Sequence, residues 1–208
     1  MNQKAVTIST SQLIEFLDQE LNNLPDNRKG ENKKYTVKNA VLAAFSVFFT
    51  QSPSFLQHQS LMKQNKGKDN AQSLFKLSKI PCDNQIRKLL DPITAKTVFG
   101  TFTIVYKWLE KQRIINQFKY LDNQVLIALD GTEYYSSPKI NCPYCNCREH
   151  RNGKKTYDHQ VITPVLVSPV KKQVINAPEF IKKQDGKTKQ DCENAAVKRW
   201  LSSNPVER

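Results

Sequence analysis

Three cysteines and a histidine lie within the stretch CPYCNCREH, and His159 follows nine positions after its final histidine. The chain has five cysteines and three histidines, so most of its soft metal donors fall in this segment. Cys142 and Cys145 have the two-residue gap of a zinc knuckle, in which two thiolates bind one ion. His150 and His159 would complete a tetrahedral site, with Cys147 competing with His150 for the third place. A redox-active CxxC pair and unligated thiols are the alternatives.

The compartment of the protein bears on how these cysteines are interpreted. The N-terminus lacks the apolar segment of a signal peptide, and the longest apolar run, VLAAFSVFF, has nine residues. A membrane helix needs about 18 to 20. We therefore expect a cytoplasmic protein with no membrane partner and with reduced thiols, in which clustered cysteines bind metal.

A second candidate for chemistry is Asp130, which follows the apolar run VLIAL and precedes Gly131. A short continuous apolar run bounded by turn residues is typical of a buried central strand. A carboxylate at the end of such a strand is costly to desolvate unless it is paired. Magnesium prefers oxygen ligands and is a natural partner. The competing interpretation is an Asx turn that caps the strand, with Gly131 at a positive φ.

The segment that precedes these residues is expected to be a helical domain covering residues 1–120. The spacing of apolar residues predicts helices at 9–24, 36–49, 55–64, 83–90 and 94–115. Asp83 is the expected cap of the helix at 83–90, and Pro92 marks its end.

Two short helices in a basic setting are compatible with a DNA-binding helix-turn-helix, in which the helix at 83–90 reads DNA. The cations that would contact phosphates or bases are Lys76, Lys79, Arg87 and Lys88. The alternative is a pair of packed helices in an all-α domain.

From residue 121 to residue 208 the pattern changes to extended segments. A strand ending at Asp130 is followed by an insertion at 138–159, by strands over 157–169 and 171–181, and by a helix over 188–203. The fold class predicted for the whole chain is α+β (α/β).

The charge of the chain favours a polyanionic partner, nucleic acid before membrane. The formal net charge is +13, with 18 Lys and Arg against 10 Asp and Glu up to residue 125, and 14 against 9 after it. The cations expected to face DNA around the cysteine cluster are Arg148, Arg151, Lys154 and Lys155.

Several stretches, in one order over about residues 25 to 202, resemble DDE-type transposases of bacterial insertion sequences. They are LAAFSVFFTQSPSFLQHQ, IPCDNQIRKLLDP, LIALDGTEYYSS, CPYC, HQVITPVLVSP and EFIKKQDGKTKQDCENAAVKRWL. The resemblance implies a ribonuclease-H-like domain in which three acids hold two Mg²⁺ ions for DNA strand cleavage and strand transfer. Asp130 matches the first acid. The resemblance also favours Cys142, Cys145, His150 and His159 as ligands of a structural Zn²⁺, and a location at the bacterial nucleoid.

The sequence departs from that family in its acids. The second acid of the family lies on a fourth strand after the helix, and no such strand precedes Arg208. Asp185, Asp191 and Glu193 are interpreted as helix capping and solvation. Two-metal phosphoryl transfer needs ligands on both ions, so we expect a transposase fragment that is inactive alone. The alternative is a non-catalytic protein that occupies transposon ends and inhibits transposition, with itself or the full-length transposase as a further partner.

Overall fold

The computed structural model describes residues 8–30, 33–64, 70–168, 173–183 and 189–204. The chain divides into two compact units, Met1–Val105 and Tyr106–Arg208, whereas the sequence predicts a boundary at residue 120. Helices and an antiparallel sheet are both present, so the α+β fold class is confirmed. Within the described residues, no helix combines the length and the apolar character needed to cross a membrane.

Helices precede the sheet at nearly the predicted positions. They are α1 (Thr10–Glu20), α2 (Val37–Phe49), α3 (Phe55–Lys63), α4 (Asp83–Leu90) and α5 (Gly100–Lys111). Ser9 and Thr36 form capping boxes at the starts of α1 and α2, where each hydroxyl accepts from a backbone N–H three residues on.

Two of the helix predictions need correction. Asp83 is the first residue of α4 and Cys82 is the cap, so the carboxylate acts on the positive end of the helix dipole instead of on a backbone N–H. The long helix predicted over 94–115 is interrupted. Short 3₁₀ helices at Ala95–Val98 and Ile114–Phe118 flank α5, and Arg113 ends the α-helical path with a φ of 58°.

The core of the first unit forms where α1, α2 and the segment around Phe75 meet. Leu21, Leu42, Phe75 and Leu77 are each 1% exposed. The ring of Phe75 meets Phe49 edge-on, with centroids 5.7 Å apart. This packing is the apolar burial that holds the helical unit together.

A buried histidine links α2 to α3. His58 is 1% exposed, and its Nε2 lies 2.8 Å from Oγ of Ser46. Its Nδ1 lies 3.0 Å from Oγ of Ser52 and 3.3 Å from Oγ1 of Thr50. All three partners are hydroxyls, and none carries a charge that would stabilise an imidazolium. Burial therefore lowers the pKa of His58.

We expect His58 to make the first unit less stable in mild acid. Its folded-state pKa lies below the unfolded value of about 6.5, so below that pH the unfolded chain binds a proton that the folded chain excludes. The free energy of unfolding should therefore fall as pH drops through about 6.5, and the contribution of His58 should be constant above it. Denaturant titrations between pH 5 and pH 8 measure this slope.

His58→Gln should flatten that part of the pH dependence, because glutamine does not titrate. His150→Gln is the matched control, since His150 is exposed. A slope that is unchanged in His58→Gln would contradict the assignment.

The second unit is built on one long strand. The strands are β1 (Leu126–Ser137), β2 (Asn146–Glu149), β3 (Lys155–Val167), β4 (Gln173–Ile175) and β5 (Glu179–Phe180). Each of the other strands pairs antiparallel with β3. β1 runs along one edge of β3, and β2, β5 and β4 follow one another along the other edge.

The prediction of a buried central strand that ends at Asp130 is wrong. β1 continues to Ser137, because the residues after Gly131 are rich in Thr and Tyr and the length of β3 allows them to pair. Leu126 is 65% exposed, and β3 is the central strand. Asp130 is therefore in mid-strand, opposite Thr163.

Two further differences concern the connections of the sheet. The insertion contributes β2, which the sequence did not predict, and the predicted strand at 171–181 consists of β4 and β5. The helix predicted over 188–203 is confirmed as α6 (Lys189–Ser203).

Helix α6 is fixed to the sheet by packing and by hydrogen bonds. Ala196 is fully buried in a cluster with Ile162 and Ile181. The guanidinium of Arg199 donates to the buried Glu179 carboxylate at 3.0 Å and to the Phe180 carbonyl at 2.8 Å. These bonds set which face of the sheet is covered and which is left for chemistry.

Candidate metal centre

The two cysteines of the CPYC stretch form a turn with both sulfurs on its inner side. The backbone N–H of Cys145 donates to the carbonyl of Cys142 at 3.1 Å and closes the turn. The backbone N–H of Cys142 donates to Sγ of Cys145 at 3.2 Å, and the two sulfurs are 3.7 Å apart. Backbone donors of this kind stabilise thiolates, as a metal-binding knuckle requires.

His159 on β3 brings a third donor to these sulfurs. Its Nε2 lies 3.3 Å from Sγ of Cys142 and 3.3 Å from Sγ of Cys145. The register of the sheet places His159 opposite Tyr135 on β1. The third ligand thus comes from the strand that organises the sheet, and the first two come from the loop before β2.

The spacing of the three donors fits a zinc ion. Bonds of about 2.3 Å to sulfur and about 2.1 Å to nitrogen at the tetrahedral angle separate two sulfurs by about 3.8 Å, and a sulfur and a nitrogen by about 3.6 Å. The observed S···S distance is 3.7 Å and the S···N distances are 3.3 Å, so a small outward movement of the imidazole admits the ion. Cys142, Cys145 and His159 could therefore hold a metal ion.

The structure does not bring His150 to this group. Its Nε2 lies 2.7 Å from Oγ1 of Thr156. Thr156 and His159 are three positions apart on β3, so their side chains lie on opposite faces of the sheet. Cys147 pairs with Tyr157 on the same face as His159, but it does not join the group either. In the part of the chain that the structure describes, no fourth Cys, His, Asp or Glu completes the set.

The surroundings of the sulfurs contain a buried acid that the sequence-based prediction missed. Asp158 is 2% exposed, and its Oδ2 accepts from Nδ2 of Asn146 at 3.2 Å and from Nε2 of Gln160 at 2.8 Å. Burial raises the pKa of the Cys145 thiol, and the nearby charges of Cys142 and Asp158 raise it further. A divalent cation would offset this local excess of negative charge. No sequence signal reveals Asp158, because the apolar residues of YDHQV, Tyr157 and Val161, lie on the other face of the strand.

Tyr134 covers the three donors Cys142, Cys145 and His159, called the metal group below, from the side of β1. Its ring stacks on His159 with centroids 5.8 Å apart and an interplanar angle of 17°. Burial, and next the charges of Cys142 and Cys145, raise the pKa of Tyr134. A register shift between Glu133 and Tyr135 gives Tyr134 this position, and no pattern in the sequence predicts that shift.

Asp130 lies on the same sheet face as His159. Asp130 is opposite Thr163, and side chains four positions apart on β3 point the same way, about 13 Å apart along the strand. The Asp130 carboxylate is exposed and accepts from the N–H of Gly131 at 2.9 Å. Gly131 continues the strand instead of adopting a positive φ, so the Asx-turn interpretation with Gly131 at positive φ is also wrong.

A second carboxylate, from Glu193 of α6, lies against Gly131. A methyl group added at Gly131 would meet Oε1 of Glu193 at 2.6 Å, so a larger residue there would require the Glu193 side chain to move. The sequence pattern favours helix capping for Glu193 and contains no sign of this contact. Of the other two acids, Asp185 lies outside the described residues and the side chain of Asp191 is not described.

The predicted DNA-contacting cations of the β unit lie on or beside the hairpin that joins β2 to β3. They are Arg148, Arg151, Lys154 and Lys155, and all four are exposed. Arg148 is 4.0 Å from Glu133 and Lys155 is 4.0 Å from Glu149, with both cations more than half exposed. Such long surface contacts compensate little of the positive charge.

The predicted DNA-contacting cations of the helical unit differ in exposure and in ion pairing. Arg87 and Lys88 are exposed on α4, opposite the buried Ile86 and Leu89. Lys79 is exposed and lines a surface cavity of about 420 Å³. Lys76, in contrast, is 3.6 Å from the Asp18 carboxylate, which is also paired with Lys38 at 2.7 Å. Arg87 and Lys88 are thus the freest of the four.

The chain matches no family profile, no curated protein and no solved structure. The site is therefore interpreted from its own geometry.

We expect the purified protein to bind about one zinc per chain through Cys142, Cys145 and His159. His159→Gln should lower zinc affinity by more than about 100-fold, since even partners outside the ligand shell are worth about 10- to 100-fold. His150→Gln and Cys147→Ser should change it little. Competition with a chromophoric chelator measures each affinity, and equal losses in His150→Gln and His159→Gln would show that His150 is a ligand.

Proposed function

We propose that this chain is the DNA-binding part of a DDE-type transposase, in which a zinc-clamped basic hairpin holds DNA beside Asp130. The observation that carries the proposal is the shared sheet face of Asp130 and His159. On this proposal the first part of a ribonuclease-H-like domain follows a helical DNA-binding domain.

The order of elements in the second unit supports this proposal. β1, β3 and the β4–β5 segment form an antiparallel meander, which is followed by α6. The same order is expected at the start of a ribonuclease-H-like domain. β1 would then carry the first catalytic acid, Asp130, and β2 would belong to the zinc-binding insertion.

The charge distribution supports DNA as the partner. The exposed cations of the hairpin border the zinc knuckle, and Arg87 and Lys88 form a second basic site on the helical unit. A bound zinc ion would fix the knuckle and so hold these cations in place. In this arrangement zinc would have a structural role, with no proton transfer or bond cleavage assigned to it.

The described residues do not by themselves fit a magnesium centre. Asp130 is exposed and belongs to no group of three or more donors among them. Phosphoryl transfer by two metal ions needs ligands on both. The chain alone is therefore assigned no catalytic step, and Asp130 is proposed as one magnesium ligand of a complete enzyme.

DNA binding should weaken steeply with salt, because each neutralised phosphate releases a condensed counterion. Reversing two cations that contact phosphates, as in Arg148→Glu with Arg151→Glu, should reduce the slope of log K against log salt by about 2. Reversing Arg87 and Lys88 should have a similar effect. Fluorescence anisotropy with a labelled duplex, between about 50 and 200 mM salt, measures the slope.

The matched control reverses Lys107 and Lys111, which are exposed on α5 and change the net charge by the same amount. A salt-independent affinity, or an equal loss in this control, would refute the assignment of the DNA-contacting cations.

The second candidate function is a non-catalytic protein that binds transposon ends and inhibits transposition. Asp130 belongs to no group of three or more metal donors among the described residues, which favours it. Cleavage assays with Mg²⁺ or Mn²⁺ separate the two functions. On the transposase proposal, the chain alone should leave DNA uncut, and the chain joined to the genomic segment that follows it should cut DNA and lose this activity with Asp130→Asn. DNA binding without cleavage by either chain would favour the inhibitor.

A further inference from the structure

We infer that Tyr134 is a stacking platform for an unpaired DNA base. Its position beside the metal group would let it bind single-stranded DNA ends. This inference rests on the proposed function, because its ligand is DNA, and it adds which form of DNA the site selects. It assigns a binding role to a residue that neither the metal ligand set nor the catalytic acid includes.

Tyr134 is exposed and yet held in place. Tyr134 is 54% exposed, while its ring stacks on His159 and is tilted by 59° to the ring of Phe180, with centroids 6.3 Å apart. Tyr135 packs on the same imidazole at 5.6 Å. A ring that is already fixed loses little side-chain entropy when a ligand stacks on it.

The reason for the exposure is the irregularity in β1. Glu133 pairs with Gln160 and Tyr135 pairs with His159. Tyr134 is therefore the extra residue of the bulge and has no backbone pairing partner in the register with β3. Bulges of this kind redirect a side chain, and they are common beside functional sites. In this strand the bulge turns Tyr134 onto the face that carries His159 and Asp130.

Charge complementarity identifies the ligand. Lys155 of the nearby hairpin is exposed on the same sheet face as His159, and Arg151 and Lys154 are exposed in its turn. Tyr144 at the tip of the knuckle is 82% exposed. An aromatic face beside a basic groove binds single strands, because each base offers a π-face while the cations hold the phosphates. In a duplex the bases are stacked on each other, so only an unpaired end can reach Tyr134.

The test compares two DNA probes of one sequence, a blunt duplex and the same duplex with a four-nucleotide 3′ overhang that contains 2-aminopurine. Zinc-loaded wild-type protein should bind the overhang probe about 5-fold or more tightly, the gain expected from one stacked base. Binding should also quench the 2-aminopurine fluorescence.

Tyr134→Leu should abolish the preference and the quenching while leaving the affinity for the blunt duplex unchanged. Tyr134→Phe should keep both, because it keeps the ring. Tyr120→Leu is the matched control, since Tyr120 is 66% exposed and is not placed at the metal group. Zinc content is measured for every variant. If Tyr134→Leu lost zinc, the decision would rest on quenching by the wild type and Tyr134→Phe.

Blunt-duplex binding without a preference for the overhang would overturn the inference and leave the proposed function standing. The inference would also fail if Tyr134→Leu kept zinc and retained the preference, or if the wild type left 2-aminopurine unquenched. Failure to bind either probe would overturn the proposed function, and the inference with it.

Discussion

The pairing of β3 with the other strands is the constraint on which the second unit depends. From Asp158 to Leu166 the even-numbered side chains of β3 are buried, with Ile162 packed under α6, and the odd-numbered side chains, His159 among them, face the opposite side. This alternation decides that Ile162 joins the core while His159 lies beside the knuckle cysteines. A slip of one residue would exchange the two faces and expose the core. The apolar contacts under α6 therefore also fix the position of the metal group.

Electrostatics around the knuckle make metal binding and local structure dependent on each other. Cys142 and Cys145 as thiolates would place two negative charges near Asp158, whose buried carboxylate accepts hydrogen bonds from the neutral amides of Asn146 and Gln160. A divalent ion neutralises the two thiolates and makes this arrangement tolerable. The hydrogen bond from Asn146 to Asp158 in turn joins β2 to β3, so the same acid that favours a cation also holds the basic hairpin.

The helical unit reaches its stability by different means. Apolar packing around Phe75 and the hydroxyl network of His58 hold helices α1, α2 and α3 together. Only some of its cations remain available to a polyanion, since Lys76 shares Asp18 with Lys38. Local ion pairing thus separates the cations that stabilise the fold from the cations that remain available to a partner, although the composition is basic throughout. The distinction depends on distances that composition cannot supply.

The sequence by itself determined the features that depend on local order. The helices at 9–24 and 36–49 followed from the spacing of apolar residues, the α+β class from the change of periodicity near residue 121, and the knuckle from the spacing of Cys142 and Cys145. Only the tertiary structure separated His150 from the predicted ligand set, because His150 contacts Thr156, whose side chain lies on the sheet face opposite His159. It also decided the central strand, the bulge at Tyr134 and the contact of Glu193 with Gly131. Each of these depends on which distant segment supplies the hydrogen bonds and the packing surface, and a pattern of neighbouring residues does not contain that information.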